Sequence, residues 1–139
     1  MAKMIFVNLP VRDLPAATAF YKALGGTLNP QFSGADSSAI MLSDTINVML
    51  LTHAHYRQFT QRPIGDARRE GQALIAITVD TKAAVDTTVA QAAAAGGRAD
   101  PNPVQDHGFM YGRSVEDPDG NVWEVFWMDA TAMPQNAAG

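Results

Sequence analysis

The sequence predicts an α+β domain made of two copies of one unit, a strand followed by a helix and then three strands. Three observations predict it. Two helical stretches each end at a Gly-Gly pair, Gly25-Gly26 and Gly96-Gly97. The hexapeptide Gly25-Gly26-Thr27-Leu28-Asn29-Pro30 has a counterpart in Gly96-Gly97-Arg98-Ala99-Asp100-Pro101. Val11 and Val79 match at strand ends, and Asn47-Val48 matches Asn121-Val122, in the same order along both halves. Ordered matches at equivalent points of a repeated pattern are the mark of duplication.

The elements follow in turn. Met4 to Val11 is an apolar run closed by Arg12-Asp13, which predicts a buried strand. Asp13 is a helix N-cap, and Pro15 sits in the first turn, where a missing N–H costs little. Leu14, Ala17, Tyr21 and Leu24 recur at helical spacing, Phe20 widens the stripe, and Gly25-Gly26 ends the helix. Strands are expected over 27–31, 37–42 and 46–52, with Ser43-Asp44-Thr45 as turn chemistry between the last two. The polar stretch from His53 to Gly71, with Pro63 and Gly65, predicts a short helix near 55–61 and a linker. The pattern then restarts. Ala73 to Val79 is a strand, and Lys82 to Ala95 is an alanine-rich helix with Val85, Val89 and Ala92 on one stripe. Strands follow near 98–100, 109–116 and 121–128. Between the last two, Asp117-Pro118-Asp119-Gly120 has the residue preferences of a type I turn and predicts a hairpin. The domain is expected to span residues 1–129, with one module over about 4–62, the other over about 72–129, and a frayed tail over 130–139.

Composition narrows the function. With 139 residues, 47% hydrophobic and 17% charged, the chain has the makeup of one globular domain. No apolar run approaches the roughly 18 residues of a membrane helix, and no signal-peptide pattern precedes the first strand, so a cytoplasmic location is expected. There is no cysteine, which removes disulfides, thiolate metal sites and a cysteine nucleophile. The net charge is −4 and the longest basic cluster is Arg68-Arg69. A duplex needs several phosphate contacts from a basic face, so neither nucleic acid nor a membrane is expected as partner, and a small molecule is.

Val11-Arg12-Asp13-Leu14, then Phe20-Tyr21 and Leu24-Gly25, and finally Glu116-Asp117-Pro118-Asp119-Gly120-Asn121-Val122-Trp123-Glu124 are similar to the vicinal oxygen chelate superfamily. That group includes glyoxalase I, the bleomycin and fosfomycin resistance proteins and the extradiol dioxygenases. The resemblance runs from about Met4 to Asp129 and is specific for the superfamily, not for one member's reaction. It implies paired βαβββ modules forming a curled mixed sheet around a cleft, in a homodimer. In the metal-dependent members it implies four His and carboxylate ligands on facing strands, with the ion acting as a Lewis acid. Carried onto this chain, those positions are Phe6, Leu74, Glu124 and the repeat partner of Glu124. The Asn-Val match puts that partner at Leu50, or at Met49 if the register slips by one. One carboxylate of four ligands remains, so the expected metal ligands are none and no cofactor is called for, with a borrowed divalent ion as the alternative.

The candidate residues follow from this layout. Glu124, in an otherwise apolar strand, is either a catalytic base facing substrate or a carboxylate satisfied by a neighbour or water. Substrate contacts are expected from Phe6, Leu74, Asn8 on the face of Phe6, Ser114 on the face of Glu124, and His107 in the loop before the penultimate strand. A bulge at Gly112 would alter that face; Arg113 is expected to pair with an acid on the outer surface. His53 and His55, two apart at a strand end, either present two imidazoles to one face, with Asp66 beside them, or are simply exposed. Trp123 and Trp127 are expected in the core or an interface. The function expected is binding of a small organic molecule in an apolar cleft beside an incomplete metal site. The alternative is a glyoxalase-type lyase or isomerase using Glu124 as general base, with or without a divalent metal. Extradiol oxygen chemistry, which needs iron with open positions, is disfavoured.

Overall fold

A computed structural model describes residues 2–132, so the tail from 133 lies outside the described residues. The first half gives strand β1 (Ile5–Val11), helix α1 (Leu14–Ala23), and strands β2 (Thr27–Leu28), β3 (Ser37–Met41) and β4 (Ile46–Thr52). A short helix α2 (His53–Tyr56) follows. The second half gives β5 (Leu74–Thr78), α3 (Lys82–Ala94), β6 (Arg98–Ala99), β7 (Gln105–Asp106), β8 (Met110–Glu116) and β9 (Val122–Met128). The two sheets have the orders β1-β4-β3-β2 and β5-β9-β8-β6, with β7 added against β8. In each, the first strand runs parallel to the last strand of its own half, and the remaining pairs are antiparallel. The duplication predicted from sequence is therefore a duplication of pairing.

Local chemistry explains these elements. The Asp13 carboxylate accepts from the Ala16 N–H at 3.0 Å and caps α1, and the Thr81 hydroxyl does the same for α3 through Ala84. The glycine pairs have two separate jobs. Gly25 and Gly96 take φ values of +119° and +102°, the left-handed conformation that closes a helix. Gly26 and Gly97 permit close approach: a Cβ on Gly26 would lie 2.2 Å from Ile40 Cγ2, and one on Gly97 2.5 Å from Phe20 Cε2. Expected strand 27–31 is only two residues long, because Asn29 caps a 3-10 turn at Pro30–Phe32. The helix expected near 55–61 begins at His53 instead, where Thr52 caps it through the His55 N–H. Strand β7 is an addition to the expected pattern, too short and polar to show a period-two signal in the sequence.

Helices α1 and α3 pack against each other and against the sheets, and the two halves share one core. Phe20, Tyr21, Val48 and Leu50 from the first half meet Val85, Val89, Val115, Trp123 and Val125 from the second, all fully buried. A polar link crosses this core. The Tyr21 hydroxyl donates to Asp117 Oδ2 at 2.5 Å and accepts from the Trp123 indole N–H at 2.9 Å. Asp117 also accepts from the Asp119 and Asn121 backbone N–H groups, which shapes the hairpin turn. Gly120 N–H closes that turn onto the Asp117 carbonyl at 3.1 Å. Burial, followed by the negative charge of Asp117, pushes the Tyr21 phenol well above its ordinary range, so it serves as a fixed donor.

Candidate functional site

Alternation along the strands divides each sheet into a helix-packed face and a face without helices. On β4, Val48 and Leu50 are buried toward the helices, while Asn47 and Met49 point the other way with Phe6 and Asn8. On β9, Trp123 and Val125 are buried toward the helices, while Val122 and Glu124 share the other face with Leu74 and Ala76. The register settles which residue repeats Glu124. Met49 pairs with Asn8 on one side and Ala39 on the other, as Glu124 pairs with Ala76 and Ser114. The partner is Met49, the one-residue slip; Leu50 is fully buried on the wrong face.

The helix-free faces are open along the edge strands β1 and β5, while Ala39, Asn47 and Ser114 further in are buried. Phe6 is 52% exposed and Leu74 61%, where side chains of this size are ordinarily covered. Glu124 is half-buried among them and makes no hydrogen bond or ion pair among the described residues. Asn8 is exposed, and its amide donates to the Phe6 carbonyl at 3.2 Å. Phe6 thus shares a sheet face with Asn8, and Leu74 with Glu124.

Other candidates are placed differently. Ser114 does lie across from Glu124 on an unbroken β8–β9 register, with no bulge at Gly112. Its hydroxyl is 1% exposed as part of the residue and is already committed, accepting from the Asn102 N–H at 3.0 Å. His107 lies in the exposed turn beyond Met110, at the end of β8 away from the Asp117 hairpin, and its ring contacts Gln105 at 3.1 Å. Met110 is four residues along β8 from Ser114, about 13 Å at strand rise, so His107, beyond Met110, is not beside Glu124. His53 and His55 fall on a helix, where residues two apart point to different sides. His55 packs edge-on against Phe59 with ring centroids 5.2 Å apart, so the paired-imidazole site does not form.

Arg113 pairs with acids, as expected, its guanidinium N–H groups donating to both Asp100 oxygens and to Asp86, on the side of β8 that faces α3. The Asp100 hydrogen bond, above all, raises its guanidinium pKa. Trp123 is core, and Trp127 packs partly against it.

A metal site would need several His or carboxylate donors converging on these faces. The four equivalent positions hold Phe6, Met49, Leu74 and Glu124, one donor and three apolar side chains. No group of three or more His, Cys, Asp or Glu capable of holding an ion occurs among the described residues. These residues do not fit the superfamily's metal.

What the fold defines is a duplicated βαβββ protein whose helix-free sheet faces are left open. The chain belongs to the glyoxalase/bleomycin resistance protein/dioxygenase superfamily, whose sequence model matches residues 3–125. Solved structures with the same fold include a hypothetical protein from S. aureus, 28% identical, covering 91% of this chain and 95% of that one, with a TM-score of 0.73. A glyoxalase/bleomycin resistance protein/dioxygenase family enzyme from Burkholderia phytofirmans PsJN is 26% identical over 91% of this chain and 99% of that one, with a TM-score of 0.72. The fosfomycin resistance protein FosX from Mesorhizobium loti, 17% identical over 94% and 93% of the two chains with a TM-score of 0.63, shares the fold. No match is found among curated proteins. No helix among the described residues is long and apolar enough to cross a membrane.

Proposed function

We propose that this protein binds a small organic molecule against its open sheet faces, with Glu124 as the acidic group that meets it. The observation that carries this reading is a half-buried carboxylate without a hydrogen-bond or ion-pair partner among the described residues, beside Val122, Leu74 and Ala76. A carboxylate so placed is stabilised by a ligand donor, and apolar surface such as Phe6 and Leu74 is covered by a ligand body. Asn8 supplies a polar contact beside them; Ser114, its hydroxyl committed to Asn102, acts as a support for the strand and not as a ligand group. The protein works as a homodimer in this reading. Support comes from the edge strands β1 and β5, each paired on one side only, and from exposed Met4 and Ile5 at the start of β1.

The same unpartnered Glu124 favours a second reading, a lyase or isomerase step in which its carboxylate removes a proton next to a carbonyl. A thermal-shift screen of small aromatic and carbonyl compounds, followed by Glu124→Gln on each hit, tests both. Loss of affinity in the variant supports binding through Glu124; retained affinity with lost turnover supports the base. Unchanged affinity and rate would leave Glu124 as a structural residue and overturn both readings.

A further inference from the structure

The edges of β1 and β5 do not hydrogen-bond to each other, and a cavity of about 470 Å3 lies at the seam between them. It is bounded by Asn8 on β1, His53 and Tyr56 on α2, Leu74 at the start of β5, and Asp119 and Val122 at the hairpin. Asn8, Leu74 and Val122 also belong to the open faces, so this cavity is continuous with them. Three carboxylates line it, half-buried Asp66 and Asp119 and exposed Glu70, and Asp119 is the one at the hairpin beside Val122. Its Oδ1 accepts from the Arg12 backbone N–H at 3.0 Å, while Oδ2 has no hydrogen-bond partner and the residue is in no ion pair among the described residues. Burial raises its pKa even though the Arg12 N–H and the charges of Arg12 and His53 act the other way. Protein groups therefore leave this carboxylate short of compensation.

We propose that the seam cavity takes the cationic amino group of an amphiphilic amine, received by Asp119, with the apolar body of the ligand lying over Leu74 and Val122. This deepens, and rests on, the reading that a ligand covers Asn8 and Leu74. An ammonium donor at Oδ2 forms a charge-assisted hydrogen bond in a partly desolvated place, where such bonds are stronger than neutral ones. The arginines of the lining, Arg12 and Arg57, are exposed residues, where solvent competes with a ligand for the guanidinium groups. A carboxylate ligand drawn to them is the competing outcome.

The test is an NMR titration of the isotope-labelled full chain with benzylamine, benzyl alcohol and benzoate, which share one body and differ in the head group. Benzylamine is expected to bind about tenfold more tightly than the other two, the size of one charged hydrogen bond. Its shifts are expected to centre on His53, Leu74 and Asp119. Asp119→Asn keeps an acceptor for the Arg12 N–H and is expected to erase the amine preference. Equal binding of the three compounds at Leu74, preference for benzoate, or an amine preference that survives in Asp119→Asn overturns this proposal but leaves the open-face reading standing. Shifts at neither Leu74 nor Asn8 with any of the compounds overturn both. If Asp119→Asn does not fold, the wild-type shift map and the ranking of the three heads decide the matter.

Discussion

The two halves of this chain keep the same backbone and differ on the surface that backbone presents. Both have a first strand parallel to a last strand, a helix ended by two glycines, and identical pairing order. Yet at the equivalent position on the open face one half carries Met49 and the other Glu124. The helices differ as well: α1 supplies the aromatic pair Phe20 and Tyr21, whereas α3 is alanine-rich and contributes Val85 and Val89. The comparison shows what the fold constrains. Helix-ending and close-approach glycines are fixed by backbone geometry in both halves, while no packing partner fixes the residue on an open sheet face.

The largest effect is expected where the halves are joined. Trp123→Ala should remove about 3–5 kcal/mol in denaturant unfolding, because it empties the centre of the shared core and leaves the buried Tyr21 hydroxyl oxygen without its indole donor. A single unfolding transition in both wild type and variant is the expected form; two transitions would mean the halves are separate folding units. Next, Gly26→Ala and Gly97→Ala should each cost about 1–3 kcal/mol, since the added methyl meets Ile40 or Phe20 and a backbone carbonyl inside normal contact distance. A large cost in one half only would break the symmetry argued here. Tyr21→Phe should cost about 1–3 kcal/mol, as it leaves buried Asp117 and Trp123 each without one partner.

The smallest effect concerns pH. Asp119 has a raised pKa in the folded protein, so the fold favours its protonated form. That stabilisation is complete below the ordinary value of 3.8 and is lost as pH rises through the raised folded value. Relative to Asp119→Asn, the wild type should therefore lose stability across that window and level off above it. A difference between the two that grows as pH falls in the variant's favour would reverse the assignment of burial as the dominant cause.

The fold was legible because its signals are local. Asp13, the two glycine pairs, the alternating strands and the Asp117-Pro118-Asp119-Gly120 turn each act through neighbouring residues. The site was less legible, for physical reasons. Leu50 and Met49 differ by one residue, and only strand pairing tells which face each takes. Ser114 reads as a face-sharing hydroxyl until the 100–106 loop comes back over it through Asn102. His53 and His55 read as a strand-end pair because Thr52 looks like a last strand residue and is in fact also a helix cap. Asp119 gave no sign of a site at all; its turn role masks its place in the seam, and only the alignment of β1, α2 and the hairpin in space brings it there.

The central claim is that the open faces hold one donor, Glu124, where the superfamily's metal-dependent members hold four. Isothermal titration of nickel and zinc into the wild type and into the triple variant Phe6→His, Met49→Glu, Leu74→His tests it most directly. The account predicts no stoichiometric tight binding by the wild type and a gained site in the variant. Stoichiometric tight metal binding by the wild type, with turnover of the methylglyoxal–glutathione adduct, would contradict it.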